Sequence, residues 1–184
     1  MTGTGHTLSG LVSGLPLGYV VYASSGSLVA SLVAAACCIL GSTAPDWLEI
    51  PYSASKKNAK GEDVAITKRI LKHRGLTHIL SVWVLVTLWS FLYVRDGYSS
   101  FFSIDLPYLL ASAIFGFSYG GVLHLLGDIP NRQRIPIFTT YDGIALGLWE
   151  SGKGERFTSV MLLIFTASFF IYQDEIYGWV KGFT

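Results

Sequence analysis

The sequence predicts an all-α fold, a polytopic membrane helical bundle of about five transmembrane or re-entrant helices that forms one integral membrane domain over residues 1–184. Three observations predict it. Hydrophobic residues occupy 51% of the chain and charged residues only 14%, and the mean hydropathy of +0.49 exceeds that of ordinary soluble domains. No charged residue occurs between Thr7 and Pro45. Beyond that stretch, uncharged runs of span-like length alternate with two loops that hold every Lys and Arg except Arg95 and Lys181, the pattern that orients membrane helices.

The first uncharged stretch, drawn as one helix, would be about twice the thickness of a bilayer core, so it must fold back on itself. The turn is "SSGS", Ser24 to Ser27, because Gly and Ser interrupt helices and favour tight turns. It separates "LSGLVSGLPLGYVVYA" from "LVASLVAAACCILGS". The first of these is interrupted by Gly10, Gly14, Pro16 and Gly18, so it either spans or re-enters. A third span runs from Thr77 to Val94 and a fourth from Leu106 to Leu126. Thr77 is placed to cap the third helix, and Gly116 and Gly120 give the fourth a spacing that permits close helix contact. The fifth, Phe157 to Tyr172, exits beside Tyr177 and Trp179, aromatic residues suited to the interface. No basic region precedes the first apolar stretch, so a cleavable signal peptide is not expected.

Loops 42–76 and 127–156 carry the basic excess, including Lys56, Lys57, Lys60, Lys68, Arg69, Lys72, Lys153 and Arg156. Both loops are therefore expected on the cytoplasmic side of the membrane, with the amino terminus inside and the carboxyl terminus outside. A net charge of +1 argues against a nucleic-acid partner, which requires a basic face to displace counterions. Cys37 and Cys38 are adjacent inside an apolar run and read as small core or lipid-facing residues, not as a disulfide or ligand pair.

On this topology the unusual polar groups gather at one side. His6 precedes the first span, Asp46 and Glu49 follow the second, His73 and His78 flank the start of the third, and His124 and Asp128 close the fourth. Taken singly, each has an ordinary explanation: a solvated interfacial histidine, a turn aspartate, or an arginine anchoring a helix to headgroups. Their coincidence is harder to explain that way, because the chain has only four histidines and all lie there. His124 moreover sits within an apolar helix, where an ionisable group is costly and marks a functional candidate. His124 and Asp128 are one helical turn apart on one face, a geometry suited to a shared metal or to a carboxylate orienting an imidazole. Pro130 ends that helix, and Gly75 lets the backbone turn so that His73 and His78 both point inward. Four imidazoles with Asp46, Glu49 and Asp128 form a nitrogen and oxygen donor set for divalent metal, fitting zinc and, as an alternative, manganese. Three carboxylates nearly balance two such ions.

The segments "TGHTLSG", "APDW", "HRGLTH" and "GGVLHLLGDIP" resemble, in this order and spacing, the LexA-regulated membrane-bound metal-dependent hydrolases, the YdjM-like family. That family is distantly similar to zinc-dependent phospholipase C, in which a helical domain holds a cluster of zinc ions. The resemblance implies metal positions at His6, Asp46, His73, His78, His124 and Asp128 and a complement of two or three ions. Glu49 stands where many members carry a histidine.

The function expected is a metal-dependent hydrolase of a phosphoester in a lipid or lipid-linked substrate, acting at the cytoplasmic leaflet through metal-assisted attack of water on phosphorus. Arg74, Arg132 and Arg134 are the candidate catalytic phosphate contacts, because the planar guanidinium matches phosphate oxygens. The segment "IFTTYDGIALGLWE" reads either as an amphipathic lid in the interface or as a buried connector. Two other classes stay open: a metal-ion transporter or sensor, and a non-catalytic scaffold with a structural metal site.

Overall fold

Small residues at four-residue spacing let two helices approach almost backbone to backbone, and the first two helices are built that way. In the computed structural model, which describes residues 1–58, 61–96, 105–150 and 152–175, α1 covers Gly3–Ser25 and α2 Leu28–Gly41. Thr2 caps α1, accepting the Gly5 N–H at 3.4 Å. Gly26 ends it in the left-handed region at φ 68°, a conformation that glycine reaches without steric cost. Ser27 then caps α2 by accepting the Ala30 N–H at 3.2 Å. The SSGS stretch is the turn that the sequence predicts. Gly10, Gly14 and Gly18, which as sequence features weaken a span, line the seam with α2: a Cβ added at Gly14 or Gly18 would lie 3.2 Å from the carbonyl oxygen of Ala35 or Ser31.

After the short α3 (Ala44–Trp47), the chain forms an antiparallel hairpin of β1 (Pro51–Lys57) and β2 (Asp63–Arg69), paired from Pro51 with Arg69 to Lys57 with Asp63. A single 3-10 turn, Leu76–His78, leads into α4 (Leu80–Asp96), which is followed by α5 (Tyr108–Asp128) and α6 (Glu155–Ile171). The centre of the bundle is α5, packed against α2, α4 and α1, while α6 lies on α1. Here the helix spacing depends on Gly116 and Gly120, where a Cβ would collide with the carbonyls of Ala34 and Cys38. At one end of the bundle Leu17, Val21, Ala34, Tyr93, Ala111 and Phe115 form the apolar core. At the opposite end α1 begins, α2 finishes, α4 begins and α5 finishes, so chain direction alone brings their polar termini together. The same end holds the start of α6, where Glu155 accepts a hydrogen bond from the Thr2 N–H.

This architecture corrects the expectation of an all-α polytopic bundle of about five spans. The fold is mostly helical but includes the two-stranded sheet, and among the described residues only Tyr108–Asp128 is both long and apolar enough to cross a membrane. The other runs fall short for separate reasons. With 14 residues, α2 reaches only about 21 Å at the helical rise, less than a hydrocarbon core of about 30 Å. The expected third span loses its first turn, because Leu76–His78 is a 3-10 turn and Ile79 is extended, leaving α4 with 17 residues. The same number forms α6. In α1, glycine and serine dilute the apolar character of an otherwise sufficient length. The sheet arises within the loop 42–76 because Val64, Ala65, Ile66 and Thr67 supply extended, partly β-branched backbone that pairs with Ser53 to Lys56. Nor does Thr77 cap α4: the Leu80 and Ser81 N–H groups donate to the carbonyls of Pro136 and Ile137, each at 2.9 Å. Lys60, Tyr177, Trp179 and Lys181 lie outside the described residues.

The segment carrying "IFTTYDGIALGLWE" is not a buried connector. It is an irregular loop tied by Asp142, whose carboxylate accepts the N–H groups of Ile137 at 2.7 Å and Thr139 at 3.0 Å. Phe138 and Tyr141 project outward, 73% and 96% exposed.

Gly120→Ala should destabilise the protein by about 1–3 kcal/mol, since its added methyl overpacks the α2 seam. Gly3→Ala, which meets open space, should leave thermal unfolding in detergent unchanged. Equal unfolding temperatures for the two variants would contradict the close-contact account of α2 on α5.

Candidate metal centre

The centre starts from α3, which the Pro45 ring opens and which directs Asp46 toward the ends of the neighbouring helices. Two residues beyond it Glu49 is fully buried, a position that a carboxylate occupies only when its oxygens are well supplied with donors. They are: Arg69 Nε at 2.9 Å, His73 Nδ1 at 2.9 Å and the Arg74 N–H at 3.0 Å. His78 Nδ1 lies 3.3 Å from the same carboxylate. A carboxylate only accepts, so His73 presents its proton at Nδ1 and turns Nε2 away from Glu49. His78 Nδ1 is also 3.1 Å from Thr77 Oγ1.

The turn that aims both histidines inward is made chiefly by Arg74, whose φ of 57° is left-handed, an uncommon conformation for a side-chain-bearing residue. Gly75 follows at φ −95° and ψ −131°. Arg74 is held in this conformation from three sides. Its N–H donates to Glu49, Nη1 donates to the Gln133 carbonyl at 2.5 Å, and Nη2 donates to Asp128 at 2.7 Å. Strained backbone over-determined in this way is characteristic of functional sites.

From the other side come α1 and α5. His6 stacks on His124 with ring centroids 3.7 Å apart, and His6 Nε2 is 3.4 Å from Asp128 Oδ1. His124 Nδ1 donates to the Ser42 carbonyl at 2.9 Å, which leaves the lone pair on Nε2. That arrangement, an imidazole fixed by a backbone carbonyl through its far nitrogen, is typical of metal-ligating histidines. Asp128 itself is occupied: besides His6 and Arg74 it accepts from Asn131 Nδ2 at 2.9 Å and from the Met1 amino group.

These residues resolve into two overlapping groups whose ligand atoms lie within 4.8 Å of one another: Asp46, Glu49, His73 and His78, and His6, Asp46 and His124. Asp46 belongs to both. Asp46 Oδ1 is 3.6 Å from His78 Nε2 and 3.8 Å from His124 Nε2, too far for hydrogen bonds. Two ligands each about 2.0–2.2 Å from one zinc ion stand about 3.3–3.6 Å apart at ordinary coordination angles. The observed separations lie near the edge of such a polyhedron. Three buried imidazole nitrogens, His6 Nδ1, His78 Nε2 and His124 Nε2, have no hydrogen-bond partner, a costly arrangement unless something else engages them. Burial would raise the Asp46 carboxyl pKa, but the His78 imidazole 3.6 Å away and the nearby His124 and His6 rings bring it down to about 2, so Asp46 is an anion at neutral pH. The buried acidic and histidine residues could therefore hold a metal ion.

Alongside lies a cleft of about 470 Å3 lined by Asp46, His73, Asp128, Arg69, Arg74 and Arg132, among others. Of the three arginines singled out in the sequence, Arg74 is at the centre and Arg132 at the exposed rim, 3.4 Å from Glu150, while Arg134 is exposed and is not among the lining residues. Sequence reasoning missed three participants. Arg69 had the signal of a basic residue beside the His73 motif, but its inward turn depends on the hairpin. Ser42 acts through its carbonyl, for which no side-chain signal exists, and Asn131 was hidden in a turn after Pro130.

Fold and site together define a mostly helical protein with a candidate metal centre at one end of its bundle. Residues 1–180 match the family model described as YdjM inner membrane protein. The chain belongs to that family, and this membership fits a bacterial inner membrane. Neither the comparison with curated proteins nor that with solved structures gives a match.

Zinc added to metal-free, detergent-purified protein should raise its unfolding temperature, by the equivalent of about 2.7 kcal/mol at a hundredfold excess over Kd. Asp46→Asn, which touches both groups, should abolish the effect, whereas Asp128→Asn should weaken metal affinity by only about 10–100-fold through the loss of His6 orientation. Unchanged zinc binding in Asp46→Asn, measured by metal analysis, would exclude the shared-carboxylate arrangement.

Proposed function

We propose that the protein is a metal-dependent phosphoester hydrolase that acts on a lipid or lipid-linked phosphate at the cytoplasmic leaflet. The observation that carries this reading is the juxtaposition of unpartnered buried imidazole nitrogens around Asp46 with an arginine-lined cleft that opens beside them. The donor set of nitrogen and oxygen favours zinc, with manganese as the alternative. His6, Asp46, His73, His78 and His124 would hold two ions or more, with Glu49 as a further ligand or as the group that orients His73 and His78. Such ions polarise a phosphoryl oxygen and lower the pKa of water.

The remaining work belongs to the chain's own residues. Arg74 and Arg132 supply guanidinium groups for phosphate oxygens, and Arg69 stands 2.9 Å from Glu49, where it offsets the buried negative charge. Asp128 keeps both His6 and Arg74 in place. The cytoplasmic orientation is supported by charge. Lys56, Lys57, Lys68, Lys72, Arg134, Lys153 and Arg156 share the end of the bundle that holds the centre, while Arg95 stands at the other end, as the positive-inside rule requires.

Arg132 has its side chain 71% exposed and lies on the cleft rim, so Arg132→Ala should leave fold and metal content intact. Turnover of a phospholipid phosphoester should fall by about 10–100-fold, the loss of one charge-assisted phosphate contact of about 1.5–3 kcal/mol. A centre that only pins helices would behave differently: Arg132→Ala would do nothing and metal removal would unfold the protein. Wild-type protein loaded with zinc that turns over no lipid phosphoester would overturn the hydrolase reading.

A further inference from the structure

A second cavity, of about 440 Å3, lies along the flank of the bundle between α2, α4 and α5, lined chiefly by Cys37, Val82, Trp83, Val86, Ile114 and Phe117. Its size falls in the usual range of about 300–1,000 Å3 for small-molecule sites, but the exposed lining is almost wholly apolar. A polar metabolite would find no partner there.

The groove adjoins the metal centre through two aromatic residues, each next in sequence or hydrogen-bonded to a member of that centre's framework. Asp46 lines the arginine cleft, and its neighbour Trp47 lies edge-on to Phe117 of the groove with centroids 6.2 Å apart. On the other wall Trp83 donates its indole N–H at 2.8 Å to the carbonyl of Thr77, the residue before His78. Trp83 also packs 5.8 Å from Phe117 and against Gly121. The two tryptophans thus stand between the cleft, lined by arginines and carboxylates, and the apolar groove. From Asp128, which lines the cleft, to Phe117 of the groove is about 16 Å along α5 at the helical rise, a distance that an acyl chain spans below its headgroup. A ligand complementary to both parts carries an anionic phosphate at one end and a hydrocarbon chain at the other.

We infer that the groove between α2, α4 and α5 seats one acyl chain of a phospholipid whose phosphate lies in the arginine cleft, making a phospholipid the substrate class of the centre. This rests on the hydrolase reading for the word substrate, but not for the binding itself. In a bilayer the chain gains little from leaving water, so selectivity comes from packing against Trp83, Val86 and Ile114 and from the fixed headgroup. Filling the groove must then disturb chain binding without touching the metal residues.

The test uses full-length protein in bacterial-lipid nanodiscs with a phosphatidate carrying a diazirine on one acyl chain, and maps the crosslinked residues by mass spectrometry. Labelling should concentrate on the groove, at Cys37, Val86 and Ile114, above that on the exposed positions Ile164 and Phe165 of α6. Ala113→Phe, and independently the substitution Val86→Trp at an exposed position, should reduce groove labelling by about tenfold through steric exclusion while α6 labelling stays constant. Uniform labelling around the helices, unaltered labelling in both variants, or chain-to-chain crosslinks through the groove showing a second copy there would each overturn the inference. Turnover of unmodified phosphatidate is followed in parallel: groove labelling without turnover in zinc-loaded protein overturns the hydrolase reading alone.

Discussion

The backbone contact between α2 and α5 is the constraint on which the centre depends. Gly116 and Gly120 let α2 lie so close that the carbonyl of Ser42 reaches His124 Nδ1. That one hydrogen bond sets the proton position on the imidazole and so decides which nitrogen faces Asp46. A side chain at either glycine would move the α2 terminus, and with it α3 and the carboxylate it carries. Packing and chemistry are here a single requirement.

On the opposite wall the centre relies on a buried anion. Glu49 has no exposure, yet it is surrounded by Arg69, His73, the Arg74 amide and His78, so its charge organises the segment that folds over it. The hairpin returns the chain to this place: Ile70 and Leu71 donate to the carbonyls of Ile50 and Glu49, each at 3.2 Å, closing the base of the two strands. An isolated two-stranded hairpin is of marginal stability, and this one is largely exposed. Its anchorage at the Glu49 base gives it a defined geometry there.

Much of the centre was legible in the sequence because its members are chemically conspicuous. Histidines and carboxylates at the ends of apolar runs are few, and alternating helix direction was enough to bring His6, Asp46, His78 and His124 to one end. The helix turn at Ser24 to Ser27 and the apolar cores of the runs were legible for the same reason. Span number was not. Hydropathy registers how apolar a run is, but not whether its first turn is diverted, as at Leu76–His78, or whether its glycines face a partner, as at Gly14 and Gly18. The hairpin was missed because a polar, lysine-bearing loop carries weak periodicity, and the placement of Arg69 depends on it. Residue type points to Gly75 as the place where the backbone turns, whereas the left-handed residue is Arg74, because Glu49, Gln133 and Asp128 together compensate its strain.

The sequence separation of the shared residues carries a consequence for biogenesis. Asp46 meets His78 across 32 positions and His124 across 78, and His6 waits for a ring 118 positions downstream. During synthesis the first two helices can pair as soon as both have emerged, while His6 has neither its stacking partner nor its carboxylate until the end of α5 has been made. Completion of the His6, Asp46 and His124 group is therefore a late event in maturation, whereas Asp46, Glu49, His73 and His78 are all made before α5.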